Sequence, residues 1–355
     1  MAPPPASAAL PASFAADGLG ASAMLVDELL LGRQRRHAFL AVLAAALCIG
    51  FSAIFVRLSD VGPAAIGFWR LLFSLGPMAI WAYAEQRAAL VQRGVPVRGL
   101  LSRALIAGVS TRQLAYTVVA GAFFAADVIC FHAALLRTTT ANALLLGNLS
   151  VVFVFIFGWL LLGERPTRGL VVAMSLALPG AALIVGASTG VHRAPTHDMT
   201  PGASVLGDFL ALGAAAFYGA YLLVLRALRR GGEGHAPALG GGTVALLSSA
   251  AGAVFCLVWA VVTGEVLVPQ SVQGLLAVMG LGLVAHAAGQ GLATFALGRL
   301  PAGVISVGLL LQIVVGTSFA ALLFDEVPSG GVLAGGALVV AGVVALRRPR
   351  RASAS

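Results

Sequence analysis

Ten apolar runs, each about 20 residues long and nearly free of charge, recur along this chain, near 38–57, 64–84, 114–136, 140–162, 168–187, 205–226, 241–263, 272–296, 302–324 and 329–347. A helix needs about 20 such residues to cross a hydrocarbon layer of roughly 30 Å. No water-soluble core absorbs that much apolar surface: 59% of the 355 residues are hydrophobic and 10% are charged, against roughly 25% charged in soluble domains. With lipid as the solvent, every backbone group must be satisfied within its own segment. The expected fold is therefore an all-α polytopic membrane protein with ten transmembrane helices.

Short turns join most of the runs, as at Ser59-Asp60-Val61-Gly62-Pro63 and Gly163-Glu164-Arg165-Pro166-Thr167, where Gly, Pro and charge stop one helix and start the next. All 22 basic residues are arginine, and their placement sets an orientation. With the N-terminus in the cytoplasm, eighteen arginines fall in cytoplasmic segments and three, Arg57, Arg137 and Arg193, on the opposite side. The positive-inside rule then predicts an inner-membrane protein with both termini cytoplasmic. The net charge of +9 does not indicate nucleic acid, because the arginines are scattered between apolar runs and form no basic, aromatic patch. Residues 1–36, rich in Ala, Pro and Ser, read as a disordered tail. The run after Arg33, Arg35 and Arg36 is a first span and not a cleaved signal. Cys48, Cys130 and Cys256 stand alone in apolar runs, so neither a disulfide framework nor a metal site is expected.

Laid against itself, the segment 133–185 aligns without gaps onto 295–347. Arg137 falls on Arg299, Glu164 on Glu326, Pro166 on Pro328, Gly169 on Gly331 and Gly180 on Gly342. The first span of each half also agrees, with Phe39-Leu40-Ala41 matching Phe209-Leu210-Ala211. The organisation is thus a five-helix repeat over 37–190, a loop over 191–204, a second repeat over 205–348 and a basic tail over 349–355. Because five is odd, the second copy enters the membrane from the opposite side, and the halves form inverted repeats, an architecture built for alternating access.

Several segments carry a family resemblance: Gly67-Phe68-Trp69-Arg70 in the second span, Leu162-Gly163-Glu164-Arg165-Pro166 closing the fourth, Phe324-Asp325-Glu326-Val327-Pro328 closing the ninth, and Gly207-Asp208-Phe209-Leu210 opening the sixth. In order and spacing they resemble the EamA-like permeases of the drug/metabolite transporter superfamily, over about residues 38–347. Where that family usually carries a proline in the fourth span this chain has Ser150-Val151-Val152, and Gln312 stands at the equivalent place in the ninth. The resemblance implies a transporter of small organic metabolites such as amino acids, often an exporter, working without a cofactor.

Polar residues within spans are costly and so are functional candidates. Asp127 in the third span leads them: it either pairs with Arg70 or His132, or takes up a proton as access alternates. His286 and Gln290, four apart, share a helix face, and Asn148 and Gln312 lie at comparable depth in the paired fourth and ninth spans. Tyr218 is placed to stack on a substrate. For most of these residues the competing use is helix packing. Glu164 and Glu326 are expected to complement the dipole of the helix that follows each of them. The glycines of the tenth span serve close packing, within one chain or in a homodimer. Without a Walker A sequence or an HExxH pair, the expected partners are a small-molecule substrate, protons and the lipid bilayer. A membrane enzyme or a channel is the competing reading.

Overall fold

The structure, a computed structural model, describes residues 36–92, 109–163, 168–188, 201–230, 239–297 and 308–346. Among these residues every regular element is a helix. We number them α1 (Arg36–Leu58), α2 (Pro63–Gln92), α3 (Thr111–Leu135), α4 (Thr140–Gly147 and Ser150–Leu162), α5 (Arg168–Ser188), α6 (Pro201–Arg230), α7 (Gly241–Val262), α8 (Val272–Gly280, Leu281–Gln290 and Gly291–Leu297), α9 (Leu311–Phe324) and α10 (Gly330–Leu346). Seven stretches, in α1, α2, α3, α4, α6, α7 and α8, are long and apolar enough to cross a membrane. In the other three helices the apolar stretches are shorter, Met174–Ala187, Leu311–Phe324 and Gly330–Gly342. Residues 1–35 of the expected N-terminal tail, the tail at 349–355, most of the 191–204 loop, and Glu164 lie outside the described residues, while Arg36 already belongs to α1.

Small residues fill much of the buried interior beside a few large ones such as Ile66 and Leu146, and many large apolar side chains face outward. Small residues such as Ala53, Ala64, Ala134 and Ala143 are fully buried, while Leu161, Val262 and Leu322 are more than 70% exposed. Lipid gives large apolar side chains no reason to turn inward, so close backbone approach through small residues holds such a bundle together. A Cβ on Gly180 would lie 2.7 Å from the carbonyl of Gly335, and one on Gly335 would lie 2.6 Å from the carbonyl of Gly180. These two glycines therefore press α5 against α10 within one chain.

Two pairs of corresponding helices, α2 with α7 and α5 with α10, pack on each other and run antiparallel. Near the start of α2, Gly67 meets Cys256 towards the end of α7, and near the end of α2, Ala82 meets Gly242 at the start of α7. Two carboxylates repeat this relation. Glu85, late in α2, accepts from the backbone N–H groups of Gly241 (3.0 Å) and Gly242 (2.7 Å) at the start of α7. Glu265, just past α7, accepts from those of Ala64 (2.8 Å) and Ala65 (3.0 Å) at the start of α2. Each carboxylate satisfies orphan donors and meets the positive end of the partner helix.

Glu326 behaves differently from its sequence expectation. It does not serve the helix that follows it; its Oε2 accepts from the N–H of Thr140 at 2.7 Å, at the start of α4, and its Oε1 pairs with Arg57 at 2.8 Å. Ser329 supplies the hydroxyl at the start of α10 instead, accepting from Val332 N–H. Arg57, read from sequence as a loop arginine, has a side chain only 6% exposed. An isolated buried cation is so costly that it must find a carboxylate wherever the fold offers one.

Candidate functional site

Two adjoining chambers open between the halves. The first, about 280 Å³, is lined by side chains of α1, α2, α3, α4, α6, α8 and α9, among them Ser52, Arg70, Asp127, Asn148 and Gln312. The second, about 330 Å³, is lined from α2, α3, α6, α7 and α8 by Met78, Trp81, Tyr221, Ser249 and His286 together with apolar neighbours. Phe124, Tyr218, Leu222, Gln290 and Leu309 border both chambers and form the partition. Neither chamber takes a lining residue from α5 or α10.

Irregular backbone builds this space. α4 breaks after Gly147, where the Asn148 side-chain amide donates to the Leu144 carbonyl at 2.7 Å. Such an amide competes with the helix for its own carbonyls, and the backbone tightens to bonds three residues apart, Leu149 to Leu146 and Val152 to Leu149. α9 begins in the same register, with Ile313 N–H reaching Leu310. Gln312 Nε2 then donates to Asn148 Oδ1 at 3.4 Å across the two breaks. The break in α4 thus forms without a proline at position 150. Both helices also end alike, on left-handed residues at equivalent places, Gly163 (φ 64°) and Asp325 (φ 55°).

Residues 281–290 of α8 form a π-helix rather than the α-helix assumed from sequence. Its wider turn still brings His286 and Gln290 to one side, and both line the second chamber. π-Segments are uncommon and concentrate where a helix must re-aim side chains.

Arg70 is 7% exposed. His132, fully buried, holds it: the His132 Nδ1 lies 3.1 Å from the Pro63 carbonyl. A carbonyl only accepts, so Nδ1 carries the proton and Nε2 accepts from Arg70 Nη1 at 3.5 Å. His132 therefore stands behind Arg70, away from the chambers, and does not pair with Asp127. Asp127 lines the first chamber and acts on Arg70 electrostatically without a direct ion pair. Burial leaves Arg70 Nε and Ser52 Oγ without a partner beside the same chamber. Tyr218 is hydrogen-bonded to Gln290 and lies 5.7 Å, centroid to centroid, from Tyr221.

Sequence reasoning missed Asp208. Fully buried, it accepts from Thr138 Oγ1 at 2.6 Å and Asn142 Nδ2 at 3.1 Å, tying α6 to the turn between α3 and α4. A carboxylate in an apolar run was the available signal, the same one that singled out Asp127. Ser52, Ser249, Trp81 and Phe124 were missed as well, since such hydroxyls and rings are common in membrane helices and only packing shows which of them border a chamber.

An apolar outer surface, two related halves and a pair of partly open chambers with polar groups between them define the class, a polytopic membrane transport protein. The chain belongs to the EamA-like transporter family, whose model matches residues 36–186 and 205–348. It is accordingly a membrane transporter of the drug/metabolite type, with a small-molecule substrate, from a family of transporters rather than enzymes. No curated protein matches the chain. Among similar solved structures, one described only as the crystal structure of a protein is 20% identical with a TM-score of 0.50, over 87% of this chain and 95% of the other. That likeness concerns the fold alone.

Proposed function

We propose that the protein is a secondary carrier that moves a small organic metabolite, an amino acid or a similar solute, out of the cytoplasm across the inner membrane. In this reading ten spans in two inverted halves, with both termini cytoplasmic, alternate access to one central site. The observation that carries it is the chamber pair at the junction of the halves, bordered by broken α4 and α9 and by the π-segment of α8. Interrupted helices at the repeat interface are where secondary carriers bind their cargo.

In the first chamber Arg70 supplies a fixed cation and Asp127 a carboxylate, so a solute with both an anionic and a cationic group finds a partner for each. Asp127 also exchanges a proton as the chamber changes face, which couples transport to the proton gradient. Asn148 and Gln312 already bond to each other across the halves. They therefore report whether the two halves are together on that side.

Counterflow of radiolabelled amino acids in proteoliposomes tests the carrier reading: saturable exchange is expected, and conductance without saturation would instead make the protein a pore. Asp127→Asn is expected to weaken exchange of solutes that carry a cationic group and to lose acceleration by an imposed pH gradient. Wild-type rates in that variant at every pH would remove Asp127 from coupling.

A further inference from the structure

α1, α4 and α9 meet at the first chamber through Ser52, Leu144 and Gln312, and on one side of it the same three helices close in successive layers. Nearest the chamber the backbones almost touch: a Cβ on Gly316 of α9 would lie 2.5 Å from the Leu144 side chain and 3.1 Å from the Gly50 carbonyl of α1. Next, Phe51 of α1 meets Phe319 of α9 with ring centroids 4.6 Å apart. Outermost, Arg57 pairs with Glu326 at 2.8 Å and lies over the Phe324 ring, 5.7 Å from its centroid. Glu326 in turn accepts from Thr140 N–H at the start of α4.

The opposite face is built differently. The register that sets Phe39 on Phe209 sets Arg57 on Ala227, which is uncharged and exposed. The second chamber is lined there by Leu225 near the end of α6 and by Gly241 at the start of α7, so the pair of chambers leads towards that face. The closed junction also leaves polar groups unsatisfied, since Arg57 Nε and Thr140 Oγ1 are buried without a partner. Water entering as the junction parts would pair both, which offsets part of the loss of the ion pair.

We propose that Arg57 and Glu326 form the lock of a one-sided gate, which shuts the first chamber on the face where α1 and α9 end and leaves it reachable from the other. The proposal rests on the carrier reading only in taking the opening of this gate as half of the transport cycle. A bond made in one of two states holds the population in that state, and removing it shifts the balance to the other. Loss of the pair therefore opens the chamber towards the Glu326 face.

Labelling from each side of the membrane tests this without requiring transport. Ile49, half-buried on α1, lines the first chamber, and Ile49→Cys in a full chain with Cys48, Cys130 and Cys256 replaced offers one thiol to a membrane-impermeant maleimide. With the pair intact, the thiol is expected to react about tenfold or more slowly from the Glu326 face than from the opposite face. Adding Arg57→Met together with Glu326→Leu should raise the rate from the Glu326 face about tenfold or more and not raise it from the other. Equal rates from the two faces with the pair intact overturn the proposal, and that comparison needs no change at the lock. An unchanged rate from the Glu326 face in the double variant, or a rise from both faces alike, also overturns it, the latter because the pair would then be a packing tie. Sided labelling without counterflow in proteoliposomes would leave the lock standing and remove the carrier reading. Counterflow without sided labelling would do the reverse.

Discussion

Gly163 and Asp325 occupy one structural position twice. Each is the left-handed residue that ends its helix, but only the glycine escapes the clash between Cβ and the carbonyl that makes this conformation costly. A Cβ at Gly163 would meet nothing within 4 Å, so its substitution tests the backbone alone. Gly163→Ala is expected to destabilise by about 1 kcal/mol and Asp325→Gly to stabilise by up to about 1 kcal/mol. Thermal unfolding in detergent reads both, and the same sign for the two would contradict the shared geometry. Asp60 offers a second test at this scale. In the turn between α1 and α2, its Oδ2 accepts from the Ser271 hydroxyl at 2.7 Å and from the N–H groups of Ser271 and Gln270 at the start of α8. These bonds, the Ser271 hydroxyl foremost, hold its carboxyl below the ordinary carboxylate range. A carboxylate whose folded-state pKa is depressed contributes stability above its unfolded value of about 3.9 and loses it as the pH falls through the folded value. The difference in melting temperature between wild type and Asp60→Ala should therefore be level from about pH 5 to 8 and shrink below about pH 4. A difference that widens in acid would rule this out.

At the scale of elements, the Arg57–Glu326 pair joins three helices. Arg57 Nη2 bonds Glu326 at 2.8 Å and the Thr138 carbonyl at 2.7 Å, while Glu326 caps α4 at Thr140. With both side chains nearly enclosed, removing one partner strands the other charge, at a cost of about 3–5 kcal/mol. Removing both costs less than the sum, because no lone charge remains. We expect Arg57→Met and Glu326→Leu each to lower thermal stability sharply, and the double variant to recover a large part of the loss. An additive double variant would mean that the two side chains act independently. The reciprocal caps by Glu85 and Glu265 belong to the same scale, since each helix of the α2–α7 pair carries the anion that its partner's N-terminus needs.

For the whole molecule, the antiparallel packing of α2 on α7 and of α5 on α10 is what two inverted copies require. Topology in a bilayer is the corresponding measurement. In a chain with Cys48, Cys130 and Cys256 replaced, Thr167→Cys should react only with reagent on the cytoplasmic side and Ser329→Cys only with reagent on the opposite side. Labelling of both from one side would abolish the inverted arrangement, and alternating access would lose its symmetric pair of states.

What the sequence determined by itself is set by chemistry that acts over a few residues or along the membrane normal. Run length and apolarity dictate helices in lipid, arginine placement sets the expected orientation, and the gapless match of 133–185 to 295–347 reveals the duplication. Asp127, Arg70, Asn148, Gln312, His286 and Gln290 were legible because a polar group in an apolar run is expensive wherever it points. Tertiary structure decided which of them meet. His132 turned to Arg70 rather than Asp127, Glu326 served α4 and Arg57 rather than its own neighbour, and Asp208 found Thr138 and Asn142. Partner choice among buried polar groups depends on which helix ends and backbone donors the packed bundle brings within about 3 Å, and no local pattern encodes that distance.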